Sequence, residues 1–592
     1  MRIKKTKSKF KEHYSIIFDT TINGKRTTKV YENLGSLDNI KFKSGKEDPL
    51  TWLKNYVEEL NKKVKEESLP IIVKKHPNNK IKKDEDYIFN AGYLFLQDIY
   101  YKLNLNNICN EITNKYQFKY DLNNILSNLI YSRIIYPSSK LKTLELSKKF
   151  VEQPNFKLYD IYRSLEVISK ESDFIQSELY KNSLKYSKRN DKILFYDCTN
   201  YYFEIEQEDD FRKYGKSKEN RPNPIIGMGL FLDGDGIPLA FSTFNGSQNE
   251  QPTLKPLEEK IINDFNNSKF VVCTDAGLAS NSNRKFNNTN DRRFVTTQSI
   301  KKMKKFLREW ALDLTKEWKL FGDDRTYDIS SLRDYKMSNN EEENEKARKK
   351  YENLISKYKD KTFYKERWIK EDGLEQRFIV TFSVKYQEYQ KKIRENQINR
   401  ALKTIEKNPK KIGKTRENDP KRFITTTTTT KNGEVAEENY YSLNTDRIEQ
   451  EKIYDGLYSV CTNLEDGVEE IIKINKRRWQ IEESFRIMKS EFKARPVFLS
   501  NKDRIEAHFI TCFLALVIYR YLEKKLDEKY TVTQILKTLK DYNLKNVDDV
   551  GYEPIYKRNE ITDFLHEKFK FNTDYEIVSN KNFNKICQNT KN

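Results

Sequence analysis

Short apolar runs separated by polar turns predict a β-sheet core between residues 190 and 300. The run at 193–199 is largely apolar, which is typical of a strand buried on both faces. Asp197 lies near the end of that run, and Asp275 follows a later one directly. The order predicted here is strand, hairpin, helix, strand, strand. After the first strand, the predicted elements lie at 225–232, 237–244, 253–267, 269–274 and 293–297.

Helical periodicity marks a second informative stretch, residues 476–492. Its apolar positions recur at i, i+4, i+7 and i+11 and predict one buried stripe: Ile481, Phe485, Met488 and Phe492. A charged stripe lies beside it: Arg478, Glu482, Arg486 and Lys489. Such a face suits phosphate groups and a metal ion together. The alternative is an ordinary surface helix with salt bridges between neighbouring turns.

Two patterns precede the predicted core. Residues 1–75 alternate between apolar and polar positions and predict an N-terminal β-rich module, with the turn signal Asn23-Gly24 between two strands. The basic start of this module is interpreted either as a contact to DNA backbone or as a solvated tail. A polar link at 76–80 separates it from the helical region that follows.

Residues 76–190 have a helical pattern interrupted by short polar connections. Arg133, Lys140 and Lys142 lie near one of these connections, at 137–139. We therefore interpret the region as DNA-binding in the manner of a helix-turn-helix, with a plain packing bundle as the alternative.

Beyond residue 300 the pattern changes to long charged helices and isolated strands, so we predict a mixed α+β insertion at 301–455. It divides the catalytic core into a first part at 191–300 and a second part at 456–530. A C-terminal helical tail is predicted at 531–592. Within the insertion, the pattern predicts helices at 339–359 and 384–407, a strand at 374–383 and a threonine run at 425–430.

The chain is strongly basic, with 110 Lys and Arg against 89 Asp and Glu and a net charge of +21. An excess of this size favours a polyanionic partner. The best apolar run, at 509–519, is too short for a membrane span, and no secretory leader is apparent, so we expect a cytoplasmic, nucleoid-associated protein without a membrane partner. The four histidines and six scattered cysteines argue against a zinc site, so a catalytic metal would be bound by carboxylates.

Three carboxylates, Asp197, Asp275 and Glu482, are candidates for such a site, although 78 and 207 residues separate them. If the fold brings them together, they form a site for two Mg²⁺ or Mn²⁺ ions that could assist in-line phosphoryl transfer. Arg478, Arg486 and Lys489 would then contact phosphate oxygens. The element order matches a ribonuclease-H-like α/β fold, in which the first and fourth strands lie side by side.

The stretches YDCTNYYFE, VVCTDAGLAS and RRWQIEESFRIMKSEF resemble the three acidic motifs of bacterial insertion-sequence DDE transposases of the IS-four-like superfamily. Arg478, Glu482 and Lys489 match the spacing of the third motif, and Asn475 stands where the family has Tyr. The resemblance covers about residues 190–525. It implies an insertion before the glutamate and a homodimer acting on double-stranded DNA, both transposon ends and target.

The function implied is that of an insertion-sequence transposase, which binds terminal inverted repeats and catalyses metal-dependent strand cleavage and strand transfer. Two alternatives stay open: a ribonuclease-H-fold nuclease without joining activity, and a non-catalytic DNA-binding descendant. Related enzymes stack an aromatic residue of the insertion on a flipped base. Trp310, Trp318 and Trp368 are the tryptophans there, each with a core position as its alternative role.

Overall fold

The computed structural model describes residues 1–7, 12–22, 25–45, 47–67, 77–78, 80–81, 83–333, 341–407, 419–429, 438–548 and 550–592. The chain divides into two compact units, Met1–Glu85 and Asp86–Asn592. The predicted turn at Asn23-Gly24 lies outside the described residues, as do 8–11, most of the link at 76–80, and Thr430 of the threonine run.

The first unit is a three-stranded antiparallel sheet with two helices. It contains β1 (Arg2–Lys7), β2 (Glu12–Ile22), β3 (Lys25–Gly35), α1 (Leu37–Ser44) and α2 (Pro49–Glu67). Alternate residues of β2, Tyr14 and Ile16, are buried against Leu53 and Val57 of α2 in a separate core cluster. Both predicted strands are present, and the helices add an α component that the strand pattern did not indicate.

The second unit begins with a short strand and a bundle of helices. These are β4 (Ile88–Asn90), α3 (Tyr93–Lys102), α4 (Leu105–Tyr116), α5 (Leu122–Ile135), α6 (Lys140–Ser147), α7 (Leu158–Lys170) and α8 (Ser172–Tyr186). Asp121 and Ser139 cap α5 and α6 by accepting backbone N–H groups in the first turn. Nearly every residue of α5 is buried, so this helix lies in the interior of the bundle.

A mixed α/β region follows, in good agreement with the apolar pattern. It contains β5 (Ile193–Tyr202), β6 (Ile225–Asp233), β7 (Pro238–Asn245), α9 (Leu254–Asp264), β8 (Phe270–Thr274), α10 (Asn281–Phe286) and β9 (Arg292–Thr297). β5 pairs in parallel with β8, so the prediction that the first and fourth strands lie side by side is confirmed. β6 and β7 form the predicted hairpin on the other side of β5.

Residues 305–452 alternate between helices and strands. The elements are α11 (Lys305–Leu312), β10 (Trp318–Leu320), β11 (Asp323–Tyr327), α12 (Glu341–Tyr358), β12 (Phe363–Glu371), β13 (Leu374–Phe382), α13 (Val384–Lys407), β14 (Ile424–Thr429), β15 (Glu438–Leu443) and α14 (Thr445–Lys452). The helix and strand predicted around residue 383 are both present at nearly the predicted bounds.

Within the described residues, the region predicted as an insertion has one small sheet of its own, the pair β14 and β15, and its other strands join the sheet of the preceding region. After it, β16 (Leu457–Thr462) pairs with β13 on one side and β9 on the other. Among the described residues this makes one ten-stranded sheet, in the order β11-β10-β12-β13-β16-β9-β8-β5-β6-β7. The far part has its own core, in which Trp318 and Phe378 are fully buried.

The segment predicted as one helix at 476–492 is divided. α15 (Val468–Lys476) ends before it, α16 (Trp479–Arg486) carries Glu482, and a π-helical turn, Ile487–Glu491, continues it. Asn475 is therefore a buried residue of α15. α17 (Lys502–Lys525) is long and apolar enough to cross a membrane, but 94% of its most apolar 18-residue stretch is buried inside the protein. It is a core helix packed against α5 and α7.

Residues 531–592 are not purely helical. They form α18 (Val532–Asp541), β17 (Asn543–Val547), β18 (Gly551–Pro554), α19 (Glu560–Phe569), β19 (Val578–Ser579) and α20 (Asn580–Asn589). Their strands join β4 in a four-stranded sheet of order β19-β18-β17-β4. Because β4 comes from about 450 residues earlier, this pairing leaves no local trace in the sequence.

Candidate active site

Two of the three candidate carboxylates lie level with each other on neighbouring strands. Asp197 is in the middle of β5, not near its end, because the pairing with β6 continues to Tyr202. The parallel ladder to β8 pairs Ile193 with Val271, an offset of 78 residues (271 − 193). Asp197 and Asp275 have the same offset (275 − 197 = 78) and lie just beyond the last paired residues. The fold therefore brings these two aspartates together.

Asp197 is a half-buried carboxylate with a raised pKa. Its pKa is raised to about 6, first by burial and then by the charge of Asp275, whereas Lys218, the N–H of Cys198 and Arg478 act in the opposite direction. Its Oδ1 accepts the N–H of Cys198 at 2.7 Å. A carboxylate next to a second carboxylate favours a proton or a cation between them.

Asp275 begins the loop after β8. Its Oδ1 accepts the backbone N–H of Leu278 at 3.0 Å, so the turn that ends the strand also orients the carboxylate. Gly277 lies in this turn, where an added Cβ would be 3.3 Å from Asp275 Oδ1. This turn therefore holds the Asp275 side chain in place.

Arg478 connects the strands to the helix that carries Glu482. The ladder from β8 to β9 pairs Thr274 with Thr296, so Thr297 is level with Asp275. Arg478, at the start of α16, donates to Thr297 Oγ1 at 3.1 Å and is an electrostatic neighbour of Asp197. A guanidinium therefore lies beside the row formed by the two aspartates and Thr297.

Glu482 is one turn further along α16, with its side chain 67% exposed. Its carboxylate is 3.8 Å from the Arg478 guanidinium, and this is its ion pair in the described part of the chain. The structure thus links Glu482 to the two aspartates through Arg478 rather than by direct contact.

Lys489 lies in the π-helical turn and is largely buried. Its Nζ is 3.1 Å from Glu219 and 5.4 Å from the centre of the Tyr201 ring. The pKa of Lys489 is lowered to about 8, first by burial and then by the nearby Lys218. Lys489 is therefore close to the basic residue that neighbours Asp197.

Arg486 has different neighbours from the other charged residues of this motif. Its guanidinium is 3.5 Å from Glu483 and 3.5 Å from Glu491, and it lines a separate polar pocket with Arg520. The structure gives it no contact with Asp197, Asp275 or Glu482 among the described residues. Its predicted role as a phosphate contact stays a prediction, and its surroundings do not support that role.

Asn475 has a clear packing role at the position where the resembling family has Tyr. Its amide donates to the hydroxyl of Tyr458 and accepts from the Cys273 thiol at 3.5 Å. The Tyr458 hydroxyl is in turn 2.8 Å from Thr297 Oγ1. This chain of hydrogen bonds supports the threonine that holds Arg478.

Sequence reasoning missed the loop between β5 and β6. Lys218 contacts the carbonyl of Cys198 and is 3.1 Å from Glu250, while Glu219 pairs with both Lys489 and Arg495. The available signal was the basic sequence GKSKENR directly between the aspartate-bearing strand and its hairpin partner. No periodicity marks such a loop, so its closeness to the site emerges only in the structure.

The three tryptophans of the central region differ in exposure. Trp318 is fully buried, Trp310 lies under the cations of Lys365 and Arg367, and Trp368 is 48% exposed. Trp318 is thus a core residue, as its alternative interpretation had it, and Trp368 has the most accessible ring of the three.

The donor set fits a hard divalent cation. Asp197 and Asp275 each use one oxygen for a backbone N–H, and their second oxygens have no hydrogen bond within the described ranges. The pKa of Asp197 is raised, first by burial of the carboxylate and then by the charge of Asp275, and a bound cation would offset both effects. Oxygen ligands without histidine or thiolate suit Mg²⁺ or Mn²⁺.

Comparisons with known proteins were made for the whole chain. A family profile described as "Transposase DDE domain" matches residues 189–518, which is 330 of the 592 residues (518 − 189 + 1). A search of curated proteins returned no match. Among solved structures, a piggyBac transposase synaptic complex with hairpin DNA is similar at 8% identity and a TM-score of 0.35. That match covers 85% of this chain and 83% of the other.

Proposed function

Because the profile spans more than half of its length, the chain belongs to the transposase DDE domain family, and we propose that it is an insertion-sequence transposase that cleaves and joins DNA strands. The observation that carries this proposal is the level placement of Asp197 and Asp275 on adjacent strands, with Arg478 leading to Glu482. Together with the strand order of β5 to β9, it supports a ribonuclease-H-like catalytic core.

Asp197, Asp275 and Glu482 would bind the catalytic metal, two Mg²⁺ or Mn²⁺ ions. When bound, such ions activate the attacking oxygen and stabilise the leaving oxygen of an in-line phosphoryl transfer. Asp197 and Asp275 are held in place by backbone N–H groups, whereas Glu482 is exposed on its helix. Glu482 would therefore turn towards the aspartates when metal and DNA bind.

The cations around the acids would hold the DNA phosphate. Arg478 is fixed by Thr297 and lies next to Asp197, so it can orient a phosphate oxygen at the reacting position. Lys218 also neighbours Asp197 and could contact the adjacent phosphate. Lys489 is paired with Glu219 and would exchange this partner for a phosphate oxygen when DNA enters.

The substrate in this proposal is double-stranded DNA with terminal inverted repeats, together with a target duplex, and the active form is a homodimer in the cytoplasm, associated with the nucleoid. The net charge of +21 supports a polyanionic partner. A nuclease that cleaves without joining is the second candidate, since the same acids would serve it. A non-catalytic DNA-binding descendant is the third, and the presence of all three acids disfavours it.

The proposal is tested by replacing one metal ligand at a time. Asp197→Asn, Asp275→Asn and Glu482→Gln should each lower Mg²⁺-dependent nicking and joining by at least about 10³-fold, because each removes a ligand charge. Binding to terminal-repeat DNA should stay within about threefold of wild type, since little phosphate-contacting surface is lost.

Glu483→Gln is the matched control, because Glu483 neighbours Glu482 but pairs with Arg486 and Arg520. Wild-type nicking by the Asp197→Asn protein would refute the assignment. Nicking without joining by the wild type would instead favour the nuclease.

A further inference from the structure

A pocket of about 220 Å³ lies between the start of α6 and the segment after the third acidic motif. We call it the α6 pocket. Among the basic side chains that line it, three are only 4% exposed: Arg133, Lys140 and His508. Buried basic groups normally have an acidic partner, because an unpaired charge is costly to bury. Within the described chain, no carboxylate lines this pocket.

Lys140 is the clearest sign of a missing partner. Its Nζ is buried and has no hydrogen-bond partner among the described residues. The pKa of Lys140 is lowered to about 7, first by burial and then by the Arg133 guanidinium. The same two causes, burial and the neighbouring cations, hold the pKa of His508 well below its usual range. A bound anion would raise the pKa of Lys140 towards its usual value, because it would stabilise the charged form.

Arg133 and the start of α6 add further donors to the pocket. Arg133 donates to the carbonyls of Phe492 at 3.2 Å and Ser138 at 3.0 Å, while its Nε has no partner in the described structure. Ser139 caps α6 by accepting the N–H of Lys142. The N–H groups of Lys140 and Leu141 then have no partner within the described ranges, and they lie at the positive end of the helix.

We propose that the α6 pocket binds a backbone phosphate of the DNA on which the chain acts. Naming DNA as the source of the phosphate rests on the proposed function, whereas the anion site itself rests on the unpaired cations. A phosphodiester fits better than a carboxylate ligand because it offers several acceptor oxygens to lysine, arginine and the start of a helix at once.

Two ion pairs place the α6 pocket next to the candidate active site. Arg495 lines the pocket and pairs with Glu219, and Glu219 also pairs with Lys489 of the third acidic motif. A DNA strand that runs from the three acidic residues past Lys489 would therefore reach the α6 pocket next. The exposed Lys493 and Phe498 at its rim offer a further cation and a ring surface to the same strand.

Lys140→Met tests this proposal, because a structural role and an anion-binding role predict opposite results. Removing an unpartnered buried cation should raise the melting temperature in anion-free buffer. The additional stabilisation that sulfate gives the wild type should be lost, since binding to the folded state produces it. The slope of log K against log salt for duplex DNA should fall by about one unit, with several-fold weaker binding.

Lys148→Met is the matched control. Lys148 is exposed at the C-terminal end of the same helix, away from the pocket lining, so its loss should leave the sulfate effect and the DNA slope unchanged. Because sulfate also stabilises proteins non-specifically, the difference between the two variants is the readout. If Lys140→Met does not fold, Lys140→Gln replaces it.

The outcomes separate the two parts of the proposal. An unchanged sulfate effect and an unchanged DNA slope in Lys140→Met would overturn the site altogether. A lost sulfate effect with an unchanged DNA slope would mean an adventitious ion only and would overturn the DNA role. If the wild type bound no DNA, the proposed function would fail, while the sulfate measurement would still decide whether the pocket is an anion site.

Discussion

Ionisable residues buried in this protein differ in what neutralises them. Arg189 and Asp233 are both nearly inaccessible and form an ion pair at 2.6 Å, with Arg189 also donating to two backbone carbonyls. Glu258 has no cation of this kind. Asn287 donates to both of its oxygens at 2.9 and 3.0 Å, and burial raises the pKa of Glu258 to about 8. Glu258 is therefore protonated at neutral pH.

Glu258→Gln should stabilise the fold in a pH-dependent manner. Between pH 4.5 and 8 the folded wild type holds a proton that the unfolded chain has released, so its stability falls as pH rises through this window. Glutamine carries no ionisable proton and therefore removes this loss. We expect a gain on the order of 2 kcal/mol at pH 8 and almost none at pH 4.5.

Urea unfolding at several pH values measures this effect. The exposed neighbour Glu259→Gln serves as the control and should show no such pH dependence. Parallel stability profiles for wild type and Glu258→Gln would show that Glu258 is ionised in the folded protein.

At the scale of single elements, α16 and its π-helical turn direct three basic residues to different partners. Arg478 reaches Thr297, Lys489 reaches Glu219, and Arg486 pairs with Glu483 and Glu491. A regular helix would have placed Arg478, Arg486 and Lys489 on one stripe. The wider π turn, Ile487–Glu491, changes the angular position of Lys489 relative to Arg478 and Arg486, so the simple spacing argument fails for Lys489.

Arg478→Ala and Arg486→Ala should therefore behave differently. Losing Arg478 should abolish most strand cleavage and reduce the salt slope of DNA binding by about one unit, because this cation lies beside the acids. Losing Arg486 should change stability by less than about 1 kcal/mol and leave cleavage nearly intact, since it removes exposed ion pairs. Cleavage assays and salt titrations of both variants measure the two effects. Equal defects would contradict the conclusion that Arg478 lies at the candidate site and Arg486 does not.

At the scale of the whole molecule, each unit has its own hydrophobic core. The core of Met1–Glu85 is built from its own sheet and helices, and the large cluster of Asp86–Asn592 begins at Ala91. In the second unit, one sheet runs from the candidate site into the region predicted as an insertion. The predicted insertion and the candidate catalytic core therefore share backbone hydrogen bonds and belong to one unit.

A shortened chain that begins at Asp86 should fold on its own. We expect its melting temperature to lie within a few degrees of the main transition of the full chain, because none of its core residues is removed. A chain beginning at Gly92 is the control. It lacks β4 and with it Asn90, whose amide donates to the carbonyls of Leu539 and Lys540, so it should be clearly less stable. Circular dichroism and thermal unfolding test both shortened chains. Aggregation of the chain that begins at Asp86 would contradict the division into two compact units.

The sequence by itself determined most elements and the order of the strands that carry the aspartates. Apolar runs and helical periodicity depend on neighbours within one or two turns, so they were sufficient for β5 to β9 and α13. The three acidic motifs were recognised from their own residues, and the match over residues 189–518 confirms the transposase family.

Only the tertiary structure decided which distant groups meet. Three features depend on contacts between segments far apart in the chain. The first is the register that makes Asp197 and Asp275 level. The others are the ion pairs of Glu219 with Lys489 and Arg495, and the burial of Lys140 without a partner among the described residues. Local patterns do not record such contacts, because burial and pairing are set by how elements pack rather than by their own periodicity. For the same reason, the strands of residues 543–579 were missed and the π turn was taken for a regular helix.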